Sequence, residues 1–233
     1  MVLPDERRGN FFGVVSQAPF GPEMADRVRR GGVQTMRFIV PWSRIETTRD
    51  SYDWSFLDRR MGAVQRAEVV PVPLVFGFPS WMLDTYAPLN RPEFAGEFQE
   101  FLRDLVARYG PNGLADYYSD EYRPVRTWQI WNEPNLPEHL NMDQPLPADY
   151  VEVLRLAADA IRSVDPGASL VAAGLAPGRR SITANEFIEG MFEEYRRLGM
   201  PPDFTEVAVH PYGSTVRVAV RRVRSRTGQC SRR

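Results

Sequence analysis

Short apolar runs alternate along the chain with stretches in which apolar residues recur every three or four positions. The runs, at 11–16, 35–41, 69–76, 125–131, 169–174 and 204–210, read as strands buried on both faces. Between them the spacing predicts amphipathic helices. Residues 22–30 open on a proline suited to a first helical turn and stop at Gly31-Gly32. In 93–109, Phe94, Phe98, Phe101, Leu102, Leu105 and Val106 share one side before Gly110-Pro111. Residues 55–66, 149–164 and 185–198 repeat the pattern. Strand, loop and helix repeated in this way predict an α/β fold with a parallel sheet covered by helices, either doubly wound or a barrel. No GxGxxG or GxxxxGK turn follows the first strand. The nucleotide-binding open sheet therefore loses its usual support, and the reading taken is a (β/α) barrel.

Composition narrows the function. The 233 residues are 43% hydrophobic and 12% aromatic with a formal net charge of -1, enough for a sizeable core in one or at most two domains. The charge balance gives no reason to expect nucleic acid or an anionic membrane as partner, and no apolar stretch has the length of a membrane span. Cys230 is the single cysteine, so no disulfide framework is expected. The two histidines lack zinc-type spacing, so neither a metal nor a cofactor is indicated. Met1 is soon followed by Pro-Asp-Glu-Arg-Arg, which leaves no secretion signal. The chain as written is expected in the cytoplasm, or secreted if its N-terminus is incomplete.

The chemistry concentrates at strand ends. The run Trp-Gln-Ile-Trp-Asn-Glu-Pro-Asn, residues 128–135, carries Glu133 to the point where Pro134 ends ladder pairing. In a (β/α) barrel that point is the active-site face, and a carboxylic acid there suits proton transfer to a glycosidic oxygen. The alternative is an Asn-Glu-Pro turn with a solvated carboxylate. The other strand ends offer Arg37 with Trp42, Phe78 with Trp81, Asn132, and His210 with Tyr212. Together they supply hydrogen-bonding groups, aromatic rings and one carboxylate for a sugar. Arg37 could instead be satisfied by backbone carbonyls, His210 could be a neutral structural histidine, and Trp42 and Trp81 could equally pack the rim. Trp54 and Trp128 read as core.

Five stretches carry a family resemblance: Met36-Arg37-Phe38 with Trp42, Tyr52-Asp53-Trp54 before Leu57-Asp58, Gly77-Phe78-Pro79-Ser80-Trp81, Trp131-Asn132-Glu133-Pro134-Asn135, and Val209-His210-Pro211-Tyr212-Gly213. Over about residues 10–213 the chain resembles the clan A glycoside hydrolases, (β/α)8 TIM barrels, and most of all their xylosidase-like and cellulase-like members. The resemblance implies hydrolysis of O-glycosidic bonds with retention, on an oligosaccharide or polysaccharide. Glu133 would be the general acid/base, Asn132 a sugar contact, Arg37 the residue orienting the nucleophile, and His210 and Tyr212 part of the same subsite. Retention needs a second carboxyl group about 5 to 5.5 Å away as nucleophile.

The family's nucleophile is a Glu ending the seventh strand, and only six strands can be read here. The stretch 214–233 has seven arginines, no acidic residue and no strand-helix alternation. The expected organisation is a partial barrel over 1–213, lacking strands seven and eight, followed by an Arg-rich tail at 214–233. That tail is either the product of truncation or frame shift, or a natural basic segment that binds an anion. Open barrel edges would favour self-association, and turnover would be negligible without the nucleophile. Glu206 is the nearest substitute by position. The rival from another class is a non-catalytic carbohydrate-binding barrel in which Trp42, Trp81, Asn132 and Tyr212 hold a sugar.

Overall fold

Six strands pair in chain order and all run parallel: β1 (Gly13–Ser16), β2 (Thr35–Pro41), β3 (Val70–Phe76), β4 (Thr127–Asn132), β5 (Ser169–Leu175) and β6 (Glu206–Val209). This is a computed structural model that describes residues 13–16, 21–83, 88–111, 113, 124–177 and 182–210. A parallel sheet whose order follows the chain curls in one direction, and the result is an incomplete (β/α)8 barrel with six of its eight strands among the described residues. Tyr212 and the Arg-rich stretch 214–233 lie outside the described residues.

The helices form where the apolar spacing requires. They span Pro22–Arg30, Ser55–Arg66, Phe94–Tyr109, Pro147–Val164 and Ala184–Leu198. The last two begin a little earlier than the periodicity suggests, for local reasons. Pro147 occupies the first turn while the Asp149 carboxylate accepts from the Leu146 N–H at 2.8 Å. Thr183 caps the other helix in a capping box with Glu186.

Proline shapes the sheet as well. β3 reads Val-Pro-Val-Pro-Leu-Val-Phe and pairs with β2 along its whole length, but with β4 only at Leu74↔Gln129 and Val75↔Ile130. Pro71 and Pro73 have no N–H to donate, and as alternate residues they fall on the same edge of the strand. Pairing to β4 therefore starts just past them, near the ends of the strands where the candidate chemistry lies.

The apolar core lies between strands and helices. Trp42, Phe98, Phe101, Trp128 and Trp131 are fully buried, and Trp42 stacks on Phe101 with ring centroids 5.3 Å apart. Trp42 was expected on the sugar-facing rim, and its burial corrects that. A four-residue helix, Trp42–Ile45, follows β2 directly and turns the indole inward, where its N–H donates to the Glu46 carboxylate at 2.6 Å.

Candidate active site

β4 delivers its last residues through two unusual backbone angles. Trp131 has φ 66° and Glu133 φ 45°, left-handed conformations that cost a bulky residue about 1–3 kcal/mol each. At Trp131 the regular register with β5 is interrupted, passing from Ile130↔Ala172 to Asn132↔Gly174. The indole goes into the aromatic core, 4.7 Å from Phe78 and 6.2 Å from Phe98 by centroids, and its N–H donates to the His139 carbonyl at 2.8 Å. That anchoring lets the following residue, Asn132, reach the barrel interior instead.

There Asn132 meets Arg37. The guanidinium, on the middle of β2, donates from Nε to Gln129 Oε1 at 2.6 Å and from Nη2 to Asn132 Oδ1 at 3.0 Å. Two side chains of β4 thus accept from this arginine, for which backbone carbonyls had been the alternative. Because Oδ1 accepts from arginine, the orientation of the Asn132 amide is fixed and Nδ2 is the end left to a ligand.

Glu133 is held from two sides. Its N–H donates to the Gly174 carbonyl at 3.0 Å, and its side chain is 14% exposed. For the ionised carboxylate, the His210 Nδ1–H donates to Oε1 at 2.6 Å. His210 follows β6, with its own N–H on the Leu175 carbonyl at 2.9 Å. Its ring lies so close to Gly174 that a Cβ there would sit 2.2 Å from Nε2. Glycine at 174 is what lets the imidazole reach across β5 to the carboxylate. With Oε1 engaged, Oε2 is the oxygen able to exchange a proton with a bound ligand.

Two contributors were not singled out from the sequence. His139, in the four-residue helix Pro137–Leu140, places Nδ1 2.8 Å from the Asn132 carbonyl and 3.7 Å from Glu133 Oε2. Only its place six residues after Glu133 could have pointed to it. Asn135 is fully buried, donating to the carbonyls of Ala176 at 2.9 Å and Ile182 at 3.2 Å while its Oδ1 accepts from the Ala176 N–H at 3.1 Å. It ties the loop after β4 to the loop after β5.

The remaining expectations separate. Arg37, Asn132, Glu133 and His210 come together. Trp81 lies on the 3-10 turn Ser80–Met82, its N–H donating to the Glu46 carbonyl at 3.2 Å and its ring 5.6 Å from the Arg49 guanidinium. Glu206 opens β6 and pairs with Val171, three residues before Gly174. At about 3.3 Å per residue it lies roughly 10 Å down the barrel from the Glu133 end, so it is no substitute nucleophile. Among the described residues, one acidic group is tight enough to share an ion, Glu46 with Asp50 and Glu97. Two of its three members are already engaged: Glu46 accepts from Trp42 and the Asp50 N–H, and Glu97 pairs with Arg49.

Comparison with known proteins gives a consistent picture of the fold. No family model matches the chain. Endo-1,4-beta-xylanase B of Cellvibrio japonicus is 34% identical over 84 residues, which is 34% of this chain and 13% of that protein. A monomeric beta-xylosidase from Caulobacter crescentus CB15 superposes with a TM-score of 0.59 at 20% identity, over 87% of this chain and 42% of its own. A family 39 glycoside hydrolase from Bacteroides cellulosilyticus WH2 gives 0.57 at 16% over 86% and 38%. An exo-beta-1,4-mannosidase from Opitutaceae bacterium strain TAV5 gives 0.55 at 22% over 71% and 32%. The chain thus spans less than half the length of these solved structures, and what it shares with them is the barrel fold.

Proposed function

We propose that this chain is the acid/base half of a retaining glycoside hydrolase that acts on β-1,4-linked oligosaccharides of the xylan or mannan type. The observation that carries the reading is Glu133 itself, a carboxylate at the end of β4, fixed by His210 and followed by a free oxygen, next to an Asn132 whose amide is oriented by Arg37. A strained backbone at the carboxylate and at the tryptophan two residues before it supports the reading, since such strain gathers at functional sites. In this reading Asn132 Nδ2 donates to a hydroxyl beside the reacting carbon, Glu133 gives its proton through Oε2 to the leaving oxygen, and Arg37 orients the nucleophile.

Turnover by the 233-residue chain alone is negligible in this proposal. Of the two described carboxylates that sequence position or burial would nominate as partner, Glu206 sits at the wrong strand end and Glu46 has both oxygens bonded in the core. The test is calorimetric titration with xylobiose and mannobiose, paired with an aryl β-xyloside assay. Saturable binding weakened by Asn132→Ala, with almost no release of the aryl group, is the expected result. Steady hydrolysis abolished by Glu133→Gln would show that a nucleophile is present after all. A second reading, a sugar-binding barrel without catalysis, is favoured by the commitment of Glu133 Oε1 to His210, and binding unaffected by Glu133→Gln would select it.

A further inference from the structure

We infer that His139 is a specificity-determining residue that accepts a hydrogen bond from the leaving-side sugar through Nε2, an inference that rests on the glycosidase reading of Glu133. The protonation of this ring follows from geometry. Nδ1 lies 2.8 Å from the carbonyl oxygen of Asn132, which can only accept, so Nδ1 carries the hydrogen. Nδ1 is therefore no donor to Glu133 Oε2 at 3.7 Å, nor an acceptor for Asn132 Nδ2 at 3.5 Å. In the neutral ring the bare lone pair is on Nε2, and among the described residues Nε2 has no hydrogen-bond partner. The ring cannot turn freely to find one. Phe76 packs against it edge-on with centroids 5.4 Å apart, and its own backbone carbonyl holds the Trp131 indole.

The position of this acceptor selects its ligand. The His139 ring stands beside Oε2, the oxygen of Glu133 that His210 leaves unoccupied and that faces the leaving group in this reading, with Nδ1 3.7 Å from it and Nε2 across the five-membered ring. Glu133 Oε2, Asn132 Nδ2 and the His139 ring thus stand together as two acceptors and a donor, the His139 side chain being 22% exposed. An acceptor fixed by a backbone carbonyl on its far nitrogen suits a sugar hydroxyl and disfavours a leaving group that has no hydroxyl to give.

His139 and His210 are the only histidines in the chain, which makes the test clean. Nitrogen-15 labelled imidazoles are followed by NMR while the full chain is titrated with xylobiose or with methyl β-xyloside, which lacks a leaving-side sugar. Two variants separate the nitrogens: His139→Asn keeps a donor where Nδ1 stood and loses the Nε2 acceptor, while His139→Gln keeps an acceptor near Nε2. Expected are an Nδ1–H signature for His139, an Nε2 shift with xylobiose only, and xylobiose binding weakened about three- to tenfold in His139→Asn. His139→Gln restores most of it, and methyl β-xyloside binds all forms alike. Xylobiose binding that is equal in wild type and both variants with Nε2 unmoved, or equally weak in both variants, overturns the inference while leaving the glycosidase reading intact. Failure of wild type to bind either saccharide overturns both together.

Discussion

The wall from β2 to β5 and the two flanking strands are built from the same kind of apolar segment but end in different physical states. On the wall, Phe38, Val75, Trp128 and Leu170 are fully buried beneath helices, and Trp42 stacks on Phe101 and lies tilted against Phe98. β1 and β6 are four residues each, and Val15 on β1 is 56% exposed. Apolar residues alone do not make a core. They must be covered on both faces, and here coverage is complete where helices Phe94–Tyr109 and Pro147–Val164 lie side by side, with the Gln99 amide donating to the Leu156 carbonyl at 3.3 Å. All described residues of the candidate site except His210 belong to the covered wall or its loops.

The largest break in this contrast comes from removing a wall aromatic. Trp42→Ala leaves a large cavity and strips Glu46 of its indole donor, at a cost of about 3–5 kcal/mol or more, while Val15→Ala is expected to stay within about 0.5 kcal/mol. Urea midpoints compare the two, and similar losses would mean that the edge is as well packed as the wall. Next in size is Asn135→Ala. It leaves the Ala176 N–H and two carbonyls without partners, for about 1–3 kcal/mol, and should speed amide exchange at Ala176 more than at Leu170.

A pH test sharpens the same contrast from inside the wall. Burial holds the Glu46 carboxyl above its ordinary range, against the hydrogen bonds from Trp42 and the Asp50 N–H that favour its charged form. The native chain keeps this proton where the unfolded chain has released it, so stability falls as pH rises from about 4.3 through the raised native value. Glu46→Gln should flatten that slope, and an unchanged slope would remove Glu46 as its source. The smallest effect concerns association. Val14 and Val15 on the exposed strand favour contact between copies, and Val15→Lys should lower the concentration-dependent mass seen by sedimentation with little change in melting.

How much of this was legible in the chain depends on whether local pattern decided the outcome. The strand at 35–41 and the helices at 22–30 and 55–66 coincide with their expected bounds, because proline, glycine and apolar spacing all agree there. The fourth strand was expected at 125–131 and runs instead over Thr127–Asn132, its last paired residue lying just past the left-handed Trp131. Glu133, Asn132, Arg37 and His210 could be nominated because a parallel sheet gathers its strand ends on one face. His139 could not, because it reaches the site through a four-residue helix that has no periodicity to read. Trp42 was misjudged for a related reason: a residue just past a strand is usually at the rim, and only the immediate helical turn sends it inward.

The left-handed backbone at Glu133 has a consequence for how such a chain drifts. Glycine is the residue that this φ favours, so Glu133→Gly relieves strain at the very position that the proposed chemistry needs. Selection for stability alone would push this codon toward glycine, and only use of the carboxylate opposes it. A glutamate that persists here across closely related genomes would therefore record continued function more faithfully than any buried tryptophan, whose retention folding alone explains.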